Sequence, residues 1–314
     1  MPRRSVREVL TFSQPSHSST DRSFKHDSPV ASETAMDVRR QTRESLGLPG
    51  LPETQSTVPQ EGHVSEWPLW SFSKRQSTVT RLRIDYEDGT YFQLEALRGM
   101  PGVLSPGYLD VLWYYGQKDL FEGKCVEMSA YRLLSHLHQG PVHGDQYRGF
   151  VRDMKRHFAL HIETDRLIDP VTHERSHTAY FRVLDGMELA RNGKGESRFY
   201  FNDIFLRSLR SGYLRRLDLD FCLYLDRQEE PLARFLYAHV AKRLGDKSVY
   251  VRSLAGFLTD IGMGYLAQLP AWRQTERLKR TVFPALDMLK GQACDRYELD
   301  DRGNIFFFSL TPSI

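Results

Sequence analysis

Cysteine is scarce in this chain. Its three residues, Cys125, Cys222 and Cys294, stand far apart and belong to no spaced motif, and an odd number so placed reads as reduced core thiols of a cytosolic protein. No apolar run approaches the roughly 18 residues needed to span a bilayer, and no signal-peptide core follows the opening Met-Pro-Arg-Arg. A Gly-Lys-Ser/Thr phosphate loop is missing, which argues against ATP hydrolysis. The net charge of +3 is small, so any affinity for nucleic acid must come from local patches and not from a global field. Aromatic residues are nearly absent from positions 1–64, where Phe12 and Phe24 are the only two. That stretch is rich in Ser, Thr, Pro, Gln and charge, too little apolar surface to offset ordering entropy, and it is expected to be a disordered arm. Its early arginines suit a transit peptide, but Glu8, Asp21 and Asp27 argue against one.

Beyond the arm there is enough for two modest domains: the chain has 314 residues, 40% of them hydrophobic. The clearest stretch is 231–308. Pro231 suits the first position of a helix that ends at Gly245, with Leu232, Phe235, Leu236, Val240 and Leu244 at helical spacing. A short strand, Ser248 to Val251, leads to a helix capped by Ser253, with Leu254, Phe257, Leu258 and Ile261 on one face and Gly262 and Gly264 as its stop. Next, Trp272 to Leu289 sets Leu278, Val282, Leu286 and Leu289 against Arg273, Arg277, Lys279 and Arg280. Pro284 should end or kink that helix. Strand-like runs at Tyr297 to Leu299 and Ile305 to Phe308 flank the turn cluster Asp300 to Asn304, which carries Arg302. Helix, strand, helix, turn, basic helix and hairpin is the order of a winged helix, whose third helix reads DNA.

The first half repeats that order. Order begins at Glu66-Trp67-Pro68-Leu69-Trp70 and continues through a hairpin turned at Glu87-Asp88-Gly89. Ser105-Pro106 opens a helix ending at Gly116, Val126 to Met128 is a short strand, and Ser129 caps a helix with Leu133, Leu134 and Leu137 on its face, broken at Gly140-Pro141. A helix from Asp145 to Phe158 follows, with Tyr147, Val151, Met154 and Phe158 as its apolar stripe and Arg148, Arg152, Lys155 and Arg156 opposite. Strands at 159–163 and 178–184 are expected to form its wing. The fold class is therefore α+β, with two tandem winged-helix domains at 65–192 and 193–314 after the arm. Asn192-Gly193-Lys194-Gly195 marks the boundary, and Phe199 to Asn202 begins the second half.

A family resemblance is carried by Phe201-Asn-Asp-Ile-Phe-Leu-Arg-Ser-Leu-Arg-Ser-Gly-Tyr-Leu-Arg-Arg-Leu-Asp-Leu-Asp-Phe221, Pro231 to Tyr237, Lys279-Arg280, Pro284 to Leu289 and Glu66 to Arg75. These segments resemble bacterial plasmid replication initiators of the replication initiator protein A type, over about residues 66–310. The resemblance implies two winged helices on repeated double-stranded origin sequences, recruitment of host replication proteins, and repression of the protein's own gene. It allows a homodimer and implies a bacterial cytoplasmic location, with plasmid or nucleoid. The charged, histidine-bearing loop from Asp165 to His177 departs from the pattern.

Other chemistries have weaker support. His173 and His177 are four apart, but Pro170 and Ser176 favour a loop, so no metal site is expected. Asp218 and Asp220 would serve a metal-dependent nicking enzyme, yet within Leu217 to Phe221 they fit the wet face of a strand better. His136, His138 and His143 cluster at a helix end, where the dipole favours them. The function expected is non-enzymatic, cofactor-free origin binding by a plasmid-type initiator, with a transcriptional repressor of the same fold as the alternative.

Overall fold

The computed structural model describes residues 57–61, 65–72, 80–167, 177–191, 195–210 and 214–310. The remainder of the expected arm, His173 and residues 192–194 lie outside the described residues. The first strand, β1 (Thr57–Glu61), falls inside the stretch expected to be disordered. It forms because Val58 is fully buried and its backbone has a partner far along the chain, which composition alone does not reveal.

Strands β2 (Arg81–Asp85) and β3 (Tyr91–Ala96) form the expected hairpin. Helices α1 (Ser105–Tyr115) and α2 (Gln117–Glu122), strand β4 (Cys125–Ser129), and helices α3 (Ala130–His138) and α4 (Gly144–Phe158) follow. Ser129 caps α3 by accepting from the Arg132 N–H at 3.2 Å. Then come β5 (Leu160–Thr164), β6 (Ala179–Phe181), β7 (Leu184–Glu188), β8 (Glu196–Phe201), α5 (Asp203–Arg210), β9 (Leu214–Asp218) and α6 (Leu219–Arg227). The last third holds α7 (Pro231–Leu244), β10 (Val249–Ser253), α8 (Leu254–Asp260), α9 (Ala271–Arg277), α10 (Phe283–Asp287), β11 (Arg296–Leu299) and β12 (Asn304–Phe308). Pro231 and Ser253 stand at their expected helix starts, with the Ser253 hydroxyl accepting from the Gly256 N–H at 3.1 Å.

Two units share one topology. The first is α1, β4, α3, α4, β7 and β8, with antiparallel sheet order β4-β8-β7; the second is α7, β10, α8, α9 to α10, β11 and β12, with order β10-β12-β11. Each is a three-helix, three-stranded winged helix, so the chain is α+β with two of them in tandem.

The first wing is not where the sequence suggested. Strands β5 and β6 pair with each other, but in a separate sheet of order β2-β3-β5-β6, where Leu94 lies opposite Ile162 and Ile162 opposite Phe181. The wing is the β7–β8 hairpin instead, with Val126 of β4 opposite Phe199. The supposed boundary at 192/193 thus falls inside this hairpin. Alternation identifies a strand but not its partner, and the inserted sheet offered the nearer one.

The pair Asp218 and Asp220 also sits differently. The strand stops at Asp218, whose carboxylate accepts from the Phe221 N–H at 3.0 Å and caps α6, leaving Asp220 in the helix's first turn. An aspartate that ends a strand and starts a helix breaks the alternation that a strand would need.

The two units meet where α1, α6 and α7 cross. Arg234 of α7 bonds Asp110 of α1, and its Nε lies 3.9 Å from Asp226 of α6; all three side chains are fully buried. Gly107 permits the approach. A Cβ there would stand 2.7 Å from both the Asp226 Oδ2 and the Leu137 Cδ1, so Gly107→Ala should lower stability by about 1–3 kcal/mol through overpacking. Urea denaturation of the two proteins measures it.

Candidate nucleic-acid interface

Helix α4 follows the α3 turn and buries Phe150, Asp153, Met154 and His157 against the first unit. The buried face is rotated from the expected stripe: Met154 is in the core, while Tyr147, Val151 and Phe158 are half-buried at its margin. That rotation leaves Arg148, Arg152 and Lys155 exposed in one row, spaced i, i+4, i+7. His143 and Gln146 close a capping box at the helix start, and the Tyr147 hydroxyl donates to the Ala190 carbonyl at 3.0 Å, tying the helix to the wing.

Arg156 sits deeper than the rest of the predicted set. It is 7% exposed and donates to Asp153 at 3.2 Å, so it meets solvent far less than Arg148, Arg152 and Lys155. A guanidinium with a carboxylate three residues earlier is drawn inward when that carboxylate is itself buried. The sequence missed Arg98, which follows β3, is exposed, and lines one shallow depression with Arg148, Arg152, Lys155 and Arg156. No local pattern marks it, because it comes from the inserted sheet.

In the second unit, Leu278, Val282, Leu286 and Leu289 are all in the core, as the spacing required. None of the seven residues of α9 is buried, so its turns project clear of the body. Arg273, Arg277 and Arg280 are exposed at i, i+4, i+7, the same row as in α4, with Lys279 exposed beside them. Pro284 does not end the helix. The segment Leu278–Val282 widens into a π-helical turn, with the Phe283 N–H bonded to the Leu278 carbonyl, and α10 continues to Asp287. The wider turn accommodates a residue that has no N–H and whose ring would strike the preceding α turn.

These cations are lightly engaged. Arg148 pairs with Asp145, and Arg280 with Glu276 at 2.6 Å, both between well-exposed side chains. Such pairs contribute about 0–1 kcal/mol, so a phosphate can displace the carboxylate at little cost. The second wing is less basic: Asp300 accepts from the N–H groups of Arg302 and Asn304 and from the Asn304 amide, which hold its carboxyl below the usual range, and Gly303 takes φ +76°. Arg302 is exposed at the tip, next to Asp301.

No family model matches this chain, and no curated protein is significantly similar to it. Its fold is similar to two solved structures. One is a selenomethionine derivative of domains 2 and 3 of RctB, 12% identical, covering 78% of this chain and 98% of that one with a TM-score of 0.48. The other is a second crystal structure of RctB domains 2–3, 11% identical, covering 79% and 97% with a TM-score of 0.43.

The histidines near the end of α3 are not charged partners of its dipole. Burial, with Arg227 and Arg132 adding to it, pushes His136 down to about 4, and burial with Arg227 lowers His138 as well. Both are neutral near pH 7, and His136 instead makes a 3.1 Å hydrogen bond to the Tyr115 hydroxyl. Among the described residues no group of three or more His, Cys, Asp or Glu could hold a metal ion, and no helix is long and apolar enough to cross a membrane.

Proposed function

We propose that the protein binds double-stranded DNA sequence-specifically through both units and acts as a plasmid-type replication initiator on repeated origin sites. The supporting observation is the repetition itself: at the equivalent place in two winged helices, the third helix carries three exposed cations at i, i+4, i+7. A solvated surface helix has no reason to repeat that row twice. Phosphates position such helices, and arginine reads guanine through its O6 and N7 acceptors. Two tandem readers suit a site of about two helical turns. The initiator role rests on the sequence segments at 66–75, 201–221, 231–237 and 279–289. Host replication proteins would then be partners, and no cofactor enters.

Footprinting tests the DNA reading. Arg148→Ala with Arg152→Ala should remove protection over one half of the site, and Arg273→Ala with Arg277→Ala over the other. Loss of protection on the same half for both pairs, or on neither, would contradict the two-reader assignment. Initiation is separated from repression by transforming the gene and its flanking repeats, without another origin, into a bacterial host. Plasmid maintenance is the expected outcome; repression of a reporter without maintenance favours the repressor.

A further inference from the structure

The chain has four tryptophans. Trp67, Trp70 and Trp113 are at most 2% exposed, whereas Trp272 leaves 65% of its surface in solvent. It is the second residue of α9, a segment that buries nothing, so core packing does not account for an indole there. Its ring contact within the chain is the Arg273 guanidinium, 5.1 Å from the ring centroid. The start of a recognition helix is the part that meets base edges in the major groove. On that groove floor one base alone displays an apolar group, the 5-methyl of thymine.

We propose that Trp272 is a specificity residue whose indole packs against a thymine methyl at one position of the site. This rests on α9 being a recognition helix. Arg273, Arg277 and Arg280, in the adjoining row, hold the backbone and flanking bases while the indole excludes water from the methyl.

The test uses the full-length protein and a duplex selected by it from random DNA. Each thymine of that duplex is replaced in turn by deoxyuridine, which removes the methyl and nothing else. One replacement should weaken the wild-type protein about fourfold, the effect of losing one buried apolar carbon. Trp272→Ala should bind the two duplexes equally, and Trp272→Phe should recover part of the difference. Iodide quenching of tryptophan emission, which in the free protein reports on Trp272, should fall when the selected duplex is bound. Unchanged thermal melting confirms that the variants are folded.

Equal wild-type affinity for every deoxyuridine duplex, discrimination that survives Trp272→Ala, or quenching unaffected by DNA would overturn the assignment while leaving duplex binding in place. Tighter binding to the single strand than to the duplex would also overturn it, in favour of stacking on an unpaired base. Failure to select any duplex would overturn it together with the proposed function.

Discussion

Arg234→Ala should leave little folded protein. Removing one partner of a buried ion pair costs about 3–5 kcal/mol, against the roughly 5–15 kcal/mol that holds a folded chain of ordinary stability. The loss is severe here because Arg234 faces two fully buried carboxyls, Asp110 and Asp226, on two other helices. Burial would lower the Arg234 pKa, but the two carboxyls, Asp110 foremost, raise it instead, so the guanidinium stays charged. Asp226 is pushed well above its ordinary 3.8, by burial first, opposed by Arg234 and reinforced by Asp110. The folded state therefore binds a proton that the unfolded state releases. The stability tied to that proton is complete below about pH 4 and is lost as pH rises through the raised folded value. Asp226→Asn keeps the side chain's size and shape without the titration. It should be neutral to stabilising at pH 8, and its urea midpoint should depend less on pH between 4 and 8 than the wild type's. Replacing all three residues by apolar side chains of similar volume should restore much of what Arg234→Ala loses. An Arg234→Ala protein that melts like the wild type would show that the triad holds nothing together.

The second large effect is on DNA affinity as salt is raised. Arg148, Arg152, Lys155, Arg273, Arg277 and Arg280 are exposed in two rows. If all six meet phosphate, the log–log slope is about −5, and affinity falls roughly two-thousandfold between about 50 and 200 mM salt. Three such contacts would give a slope near −3 and a fall of roughly fortyfold. Alanine at the three positions of either helix should move the protein from the first regime toward the second, as read by anisotropy titrations across that range. A slope unchanged by the α9 substitutions would take that helix off the DNA backbone. Because one or two of the arginines read bases, the measured wild-type slope is expected between these values.

The second unit was readable residue by residue because its determinants are local. Pro231, Ser253, Gly245 and Gly262 punctuate the helices, and the leucine row at 278–289 is set by spacing alone. Its hairpin is closed by a short turn. The first unit was readable in its helices and opaque in its wing, since the partner of β4 lies about 70 residues away and an inserted sheet supplies decoy strands. The α4 stripe was placed about one residue off because Tyr147, Val151 and Phe158 are apolar but marginal, while Asp153 and His157 are polar and buried. Burial of polar groups depends on partners such as Arg156 for Asp153 and Ser105 for His157, which sequence spacing cannot supply. The row of three cations survived these errors because exposed charges need no partner to be placed.

The pairing of β1 with β9 has a consequence for how the protein is made. Residues 57–61 leave the ribosome roughly 150 residues before 214–218 do. At about 5–20 residues per second, that is a wait of roughly 8–30 s. Throughout it, Val58 and its neighbours lack their strand partner, although the first unit's own strands, β4, β7 and β8, are all made by residue 201. The sheets of the two units, contained within residues 125–201 and 249–308, have no such delay. The N-terminal reader is thus complete in its own sheet before the β1–β9 pair can form, so a chain released before residue 214 would carry that reader with residues 57–61 left without their partner strand.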